Sequence, residues 1–130
     1  MTIYDEIKKA KKLLEEKTGI DTKEIEFKTL SFKGEGYHLS QYGDKYTLKY
    51  IDERGGTHII CNFQPLDETK YHCFKILVDF CSSEYFKYNK EPFDRFKMFE
   101  KRLEYMSLID DTYTERVKRE IDQILENSKD

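Results

Sequence analysis

The 130-residue chain predicts an α+β fold: an N-terminal helix, an antiparallel sheet of three to four strands, then three C-terminal helices packed on one face. Three observations predict it. From Asp67 to Leu125 apolar residues recur at steps of three and four, the period of helical faces. From Ile25 to Phe63 the period falls to two, as in half-buried strands. Short glycine-bearing turns separate the strand runs, and such closely joined strands pair antiparallel, because a parallel crossover needs roughly a dozen residues or more.

Thr2 and Asp5 open the first helix as a capping box, with Asp in place of the usual Glu. Ile3, Ile7, Ala10 and Leu14 share one face, and Gly19 supplies the left-handed stop. Lys8, Lys9, Lys11 and Lys12 read as a solvated face. In the strand region Tyr46, Leu48 and Tyr50 alternate with Lys45, Thr47 and Lys49. Gly34-Glu35-Gly36, Gly43-Asp44 and Gly55-Gly56 mark the turns. Pro65 ends the sheet. Asp67 and Glu68 then place negative charge at the positive end of a long central helix.

That helix carries Tyr71, Phe74, Val78, Cys81, Tyr85 and Tyr88 on one stripe, with Ile76, Leu77, Phe80 and Phe86 off it. A helix apolar nearly all round is buried on several sides. Asn89 and Lys90 stop it, and Pro92 suits the first turn of the next helix, which repeats Phe96, Phe99, Leu103 and Met106. Thr112 and Glu115 form a capping box for the last helix, which repeats Tyr113, Val117, Ile121, Ile124 and Leu125. Glu115 faces Arg119, and Lys118 faces Asp122, at helical spacing.

The length suits one domain, residues 1–130, without repeats or linkers. Twenty-six acidic residues against 23 basic give a net charge of -3, which opposes a dedicated nucleic-acid binder. An aromatic content of 15% opposes disorder. No apolar run approaches the ~18 residues of a membrane span, and no signal peptide opens the chain. Three cysteines without framework spacing fit a reducing compartment, so a cytoplasmic protein is expected.

His38, His58, His72, Cys61, Cys73 and Cys81 are numerous enough for a metal site, but their spacing is poor. His58 and Cys61, three apart in a strand, point to opposite faces. Cys73 and Cys81 stand about 12 Å apart along a helix. No metal, cofactor or disulfide is expected. His72 beside Cys73 does not face it, so a cysteine nucleophile is a weak reading, and no catalytic set is expected. The lysine–aromatic alternation at Lys45–Tyr50 admits an alternative, a small nucleic-acid-binding or regulatory module using the sheet face. Asp44, Asp52 and Glu53 around it argue against nucleic acid.

Several spaced motifs carry a resemblance. The central helix opens Asp67-Glu68, then Tyr71 and Phe74, and later has Glu84-Tyr85. The next helix carries Arg95, Phe99, Leu103-Glu104 and Met106; the last carries Tyr113, Arg116, Glu120-Ile121 and Ile124-Leu125. Before them stands Glu53-Arg54-Gly55. In this order, over roughly residues 46 to 125, they resemble family sixty-three of the immunity proteins of bacterial polymorphic-toxin systems. Two positions depart from that pattern: Phe96 replaces the second arginine of a pair, and Tyr113 replaces a tryptophan. The resemblance implies a cytoplasmic, non-enzymatic protein that binds a cognate toxin C-terminal domain, expected to be a nuclease, and blocks its active site. A monomer or weak dimer is expected, with no direct contact to nucleic acid or membrane.

A nuclease holds phosphates in a basic cleft, so its inhibitor gains association rate from presented carboxylates. The expected toxin-binding residues are Tyr42, Asp44, Tyr50, Asp52 and Glu53 on the sheet side, with Asp110 and Asp111 as a competing face. Arg95 is expected in the first turn of its helix, where a cation opposes the macrodipole, and a structural ion pair to Glu84 or Asp79 would hold it.

Overall fold

The computed structural model describes residues 2–29 and 34–128. Its elements run α1 (Ile3–Thr18), β1 (Phe27–Lys28), β2 (Gly36–Tyr42), β3 (Lys45–Ile51), β4 (Thr57–Pro65), α2 (Leu66–Tyr88), α3 (Arg95–Ile109) and α4 (Asp111–Asn127). This is the α+β order that the two periods predict. The chain divides into two compact units, Met1–Lys8 with Lys23–Cys73, and Lys9–Thr22 with Phe74–Asp130.

The first unit holds the sheet, in the order β1-β2-β3-β4. The pairs β2–β3 and β3–β4 are antiparallel, as their short turns require. The pair β1–β2 is parallel, so the sheet is mixed. β1 has only two residues, and returning to its start covers about 7 Å at ~3.3 Å per residue. The seven positions between Lys28 and Gly36 are enough chain to cover that distance. Leu39, Tyr46, Leu48 and Cys61 bury one face of the sheet, and Ile3, Ile7, Tyr71 and Cys73 are buried in the same unit. The Tyr4 hydroxyl donates to the Leu39 carbonyl at 2.7 Å, tying the start of α1 to β2. Lys70 of α2 pairs with Glu6 of α1 at 3.2 Å. Thr2 and Asp5 form the expected reciprocal box, at 3.0 and 3.2 Å.

The second unit is helical. From Phe74 to Tyr88 of α2 only Ser83, Lys87 and Tyr88 are exposed, in keeping with a stretch apolar nearly all round. It ends where Lys90 turns left-handed at φ 53° and the Glu91 N–H reaches back to the Phe86 carbonyl at 2.9 Å. The cap of α3 is Asp94, whose carboxylate accepts from Phe96 N and Lys97 N. The helix starts at Arg95, three residues after the expected Pro92. Asp110 closes α3 through its N–H to Met106 O at 2.8 Å and caps α4 by accepting from Thr112 N at 2.8 Å. It displaces the expected Thr112–Glu115 box, because one extended residue serves both helix ends. Phe74 and Tyr113 meet edge-on at 5.9 Å, and Met106, Val117 and Ile121 are buried with them.

Candidate functional site

Residue parity sorts the sheet into two faces. Tyr42 pairs with Lys45 across the Gly43-Asp44 turn, so Tyr42, Lys45, Thr47 and Lys49 share the outer face. Tyr46, Leu48 and Tyr50 share the inner one. Ile59, opposite Lys49, is again outer. On this outer face Tyr42 is 56% exposed, Ile59 64% and Phe63 57%. Three large apolar side chains left in water on one sheet face make it a candidate contact surface.

A β-bulge builds the patch. Leu48 pairs with Cys61 and Tyr46 with Gln64, so Thr47 alone opposes both Asn62 and Phe63. The Thr47 hydroxyl holds both, at 3.2 Å from Asn62 Oδ1 and accepting from Phe63 N at 3.3 Å. Phe63 sits at φ 50°, a region that costs a bulky residue about 1–2 kcal/mol. That backbone turns its ring to the outer face, 5.9 Å from Tyr42. A second register shift, between Leu48 and Lys49, leaves Ile60 as an extra residue. Backbone strain of this kind clusters at active sites, ligand clamps and switch regions. The rim is mixed, with Asp44 at the hairpin tip and Lys45 beside it, both exposed, and Lys49 half-buried.

The expected toxin-binding residues do not converge. Tyr42 and Asp44 join this patch. Tyr50 lies on the opposite face, five positions beyond Lys45, or about 17 Å along the strand. There it belongs to a ladder of rings, Phe27–Tyr37–Tyr50–His58, with centroids 5.5, 5.0 and 6.4 Å apart. Asp52 is a turn residue: its carboxylate accepts from Arg54 N at 3.0 Å and Gly56 N at 2.8 Å, and meets His58 Nε2 at 3.0 Å. The His58 contact, then the backbone N–H groups, hold its carboxyl below the ordinary range. A lowered carboxyl supports the turn above about pH 4, and that support is lost as pH falls through the folded value. A Cβ at Gly56 would come within 2.7 Å of this carboxylate, so a side chain there would displace it. Glu53 is exposed at the same turn. Asp110 caps α4, and Asp111 is exposed at the first position of that helix.

The expected ion pair of Arg95 is also corrected. Arg95 donates to Ser128 Oγ at 3.3 Å and lies 5.4 Å over the Phe99 ring. Asp79 instead stands 3.1 Å from Arg102, seven residues further along α3. Burial raises the Asp79 carboxyl, while the Arg102 charge opposes that rise. Because α3 begins at Arg95, two turns separate Arg95 from the level of Asp79. On α4, Arg116 and Glu120 form an i,i+4 ion pair at 3.7 Å.

Ile59 and Phe63 were not among the expected site residues, though a signal for them exists. Ile59-Ile60-Cys61 puts three apolar residues in succession in a strand, which cannot all face one core. All three cysteines are buried, and burial pushes the Cys81 thiol up to about 12 and raises those of Cys61 and Cys73. Such thiols are poor nucleophiles at neutral pH. Among the described residues no group of three or more His, Cys, Asp or Glu is arranged to hold a metal, and no helix is long and apolar enough to cross a membrane.

The family model described as immunity protein 63 matches residues 43–123, which include β3, β4, α2, α3 and most of α4. No curated protein and no solved structure matches the chain. The matched stretch takes in both strands of the Phe63 bulge and the helices whose spaced motifs carry the resemblance, and it exceeds half of the sequence: the chain belongs to the immunity protein 63 family.

Proposed function

We propose that the protein binds a cognate toxin domain of the nuclease class and neutralises it by occlusion, with Tyr42, Ile59 and Phe63 as the anchors of the contact. It acts in the cytoplasm and performs no chemistry of its own. The immunity family supports the toxin partner. The observation that carries the surface is the strained bulge that presents Phe63 beside Tyr42. Aromatic anchors in a central apolar patch with a polar rim are the usual anatomy of a binding hot spot. Asp44, exposed at the tip beside Tyr42, supplies the carboxylate that a phosphate-binding cleft would attract. Tyr50, Glu53 and Asp111 stand outside this contact.

Coexpression with the toxin domain encoded next to the gene should restore growth, and the purified pair should co-elute. Ile59→Asp combined with Tyr42→Ala should abolish both while the free protein keeps its thermal stability, since both side chains are more than half exposed. Continued cell death with the unaltered protein would refute the immunity reading. Full protection by the double variant would refute only the surface.

A further inference from the structure

The sheet ends in two strands of very different length. β1 has two residues, so its edge offers little to pair with. β4 forms the other edge, nine residues from Thr57 to Pro65. Its C-terminal half is interrupted by the register shift at Ile60, the Phe63 bulge and Pro65, all devices that blunt an edge. Thr57-His58-Ile59 carries no lysine, proline or bulge, and all three residues are exposed although they alternate between the two faces. The turn fixes where their backbone groups point. The Asp52 N–H donates to the Gly56 carbonyl at 2.9 Å, in the register that pairs Ile51 with Thr57 and Tyr50 with His58. Bonded and non-bonded pairs alternate along an antiparallel ladder, so Tyr50–His58 is the next bonded pair. Thr57 and Ile59 fall on either side of it, and their N–H and C=O groups point away from β3. Among the described residues these groups have no hydrogen-bond partner outside the sheet.

We infer that the toxin adds a short β-strand to this edge, pairing its own backbone with Thr57 and Ile59; the inference rests on the toxin contact proposed above. Two outward donors and two outward acceptors, two residues apart, are the complement of an extended chain and of little else. The pleat then sets the side chains of that segment. Residues opposite Thr57 and Ile59 lie on the outer face, where an apolar one covers Ile59, 64% exposed. The residue between them falls on the other face beside His58, which is exposed and held to Asp52 at 3.0 Å, and there a polar side chain fits. The segment is therefore apolar–polar–apolar. Ile59 belongs both to this edge and to the outer patch, so the strand and the Tyr42–Phe63 pair meet one partner as one surface. A second copy of this chain fits worse. Two-fold pairing about His58 overlaps only Thr57–Ile59 on each chain, against the roughly 20–30 residues a side of a stable interface.

The test reads amide hydrogen exchange of the 15N-labelled full chain by NMR, alone and with the toxin domain encoded next to the gene. In the free chain the Thr57 and Ile59 amides should exchange fast, while the His58 amide, bonded within the ladder, is protected. In the complex the first two should slow by about ten-fold or more. Thr57→Pro deletes one outward donor at a position where an edge strand tolerates proline, and should weaken toxin binding about ten-fold, since it leaves an acceptor of the partner unpaired. Thr57→Val keeps the N–H and the branched shape and should bind within about two-fold of the unaltered chain. A complex that forms while Thr57 and Ile59 exchange as fast as before would overturn the added strand and leave the toxin reading standing. So would equal losses in the proline and valine variants. Failure of the unaltered chain to bind the toxin domain would remove both readings. Protection of these amides in the free chain that is lost on dilution would assign the edge to a second copy instead.

Discussion

Phe63 holds a backbone conformation that glycine would adopt without strain, and its ring is more than half exposed. The ring therefore recovers little of the backbone cost by burial. Phe63→Gly removes the φ penalty of about 1–2 kcal/mol but adds chain entropy to the unfolded state, a loss of roughly 0.5–1 kcal/mol. The two terms nearly cancel. The expected outcome is a denaturation midpoint within about 1 kcal/mol of the unaltered protein, with toxin binding lost along with the ring. Urea unfolding and co-elution measure the two quantities separately. A loss of several kcal/mol would make Phe63 a structural residue and remove the reason for placing the interface there.

Two helices of the second unit make the same kind of argument with charge. Asp79 and Arg102 join α2 to α3 at 3.1 Å, with the arginine side chain 20% exposed and the carboxylate 36%. The Arg102 Nε is buried and has no well-directed acceptor, so the pair acts by charge proximity more than by a formed hydrogen bond. A double-mutant cycle on Asp79→Ala and Arg102→Ala should return a coupling of about 1 kcal/mol, and the same cycle with Arg95→Ala should return about zero. The reverse ranking would reinstate Arg95 as the residue that fixes α3 on α2. How far the fold was legible follows from such cases. The apolar stripes of α2 and α4 are long and periodic, so both helices could be read directly. The start of α3 could not, because Pro92 and Asp94 are both good starters and only the carboxylate's reach to Phe96 N decides. The parallel β1 was hidden by its two-residue length. The bulge shows only as an apolar triplet, while the opposite facing of Tyr42 and Tyr50 was available from parity once Gly43-Asp44 was taken as a two-residue turn.

Over the whole chain the acids outnumber the bases by three, 26 against 23, but what steers association is their placement. Asp44 is exposed at the β2–β3 tip beside the Tyr42–Phe63 pair. Glu53 is exposed at the opposite end of β3, beyond Asp52, whose carboxylate is engaged by His58 and two backbone N–H groups. If the partner is a nuclease presenting a basic cleft to the outer face, the two acids should differ. Asp44→Lys should slow association at low ionic strength by about ten-fold, and most of that difference should vanish near 1 M salt, where the Debye length is about 3 Å. Glu53→Lys, some 17 Å or more along the strand, should change the rate far less. Stopped-flow association across a salt series separates the cases. If Glu53→Lys is the damaging change, the interface belongs to the β3–β4 turn and the Tyr50 ladder; if neither substitution alters the low-salt rate, the toxin does not approach through a basic cleft, and the nuclease assignment loses its electrostatic support.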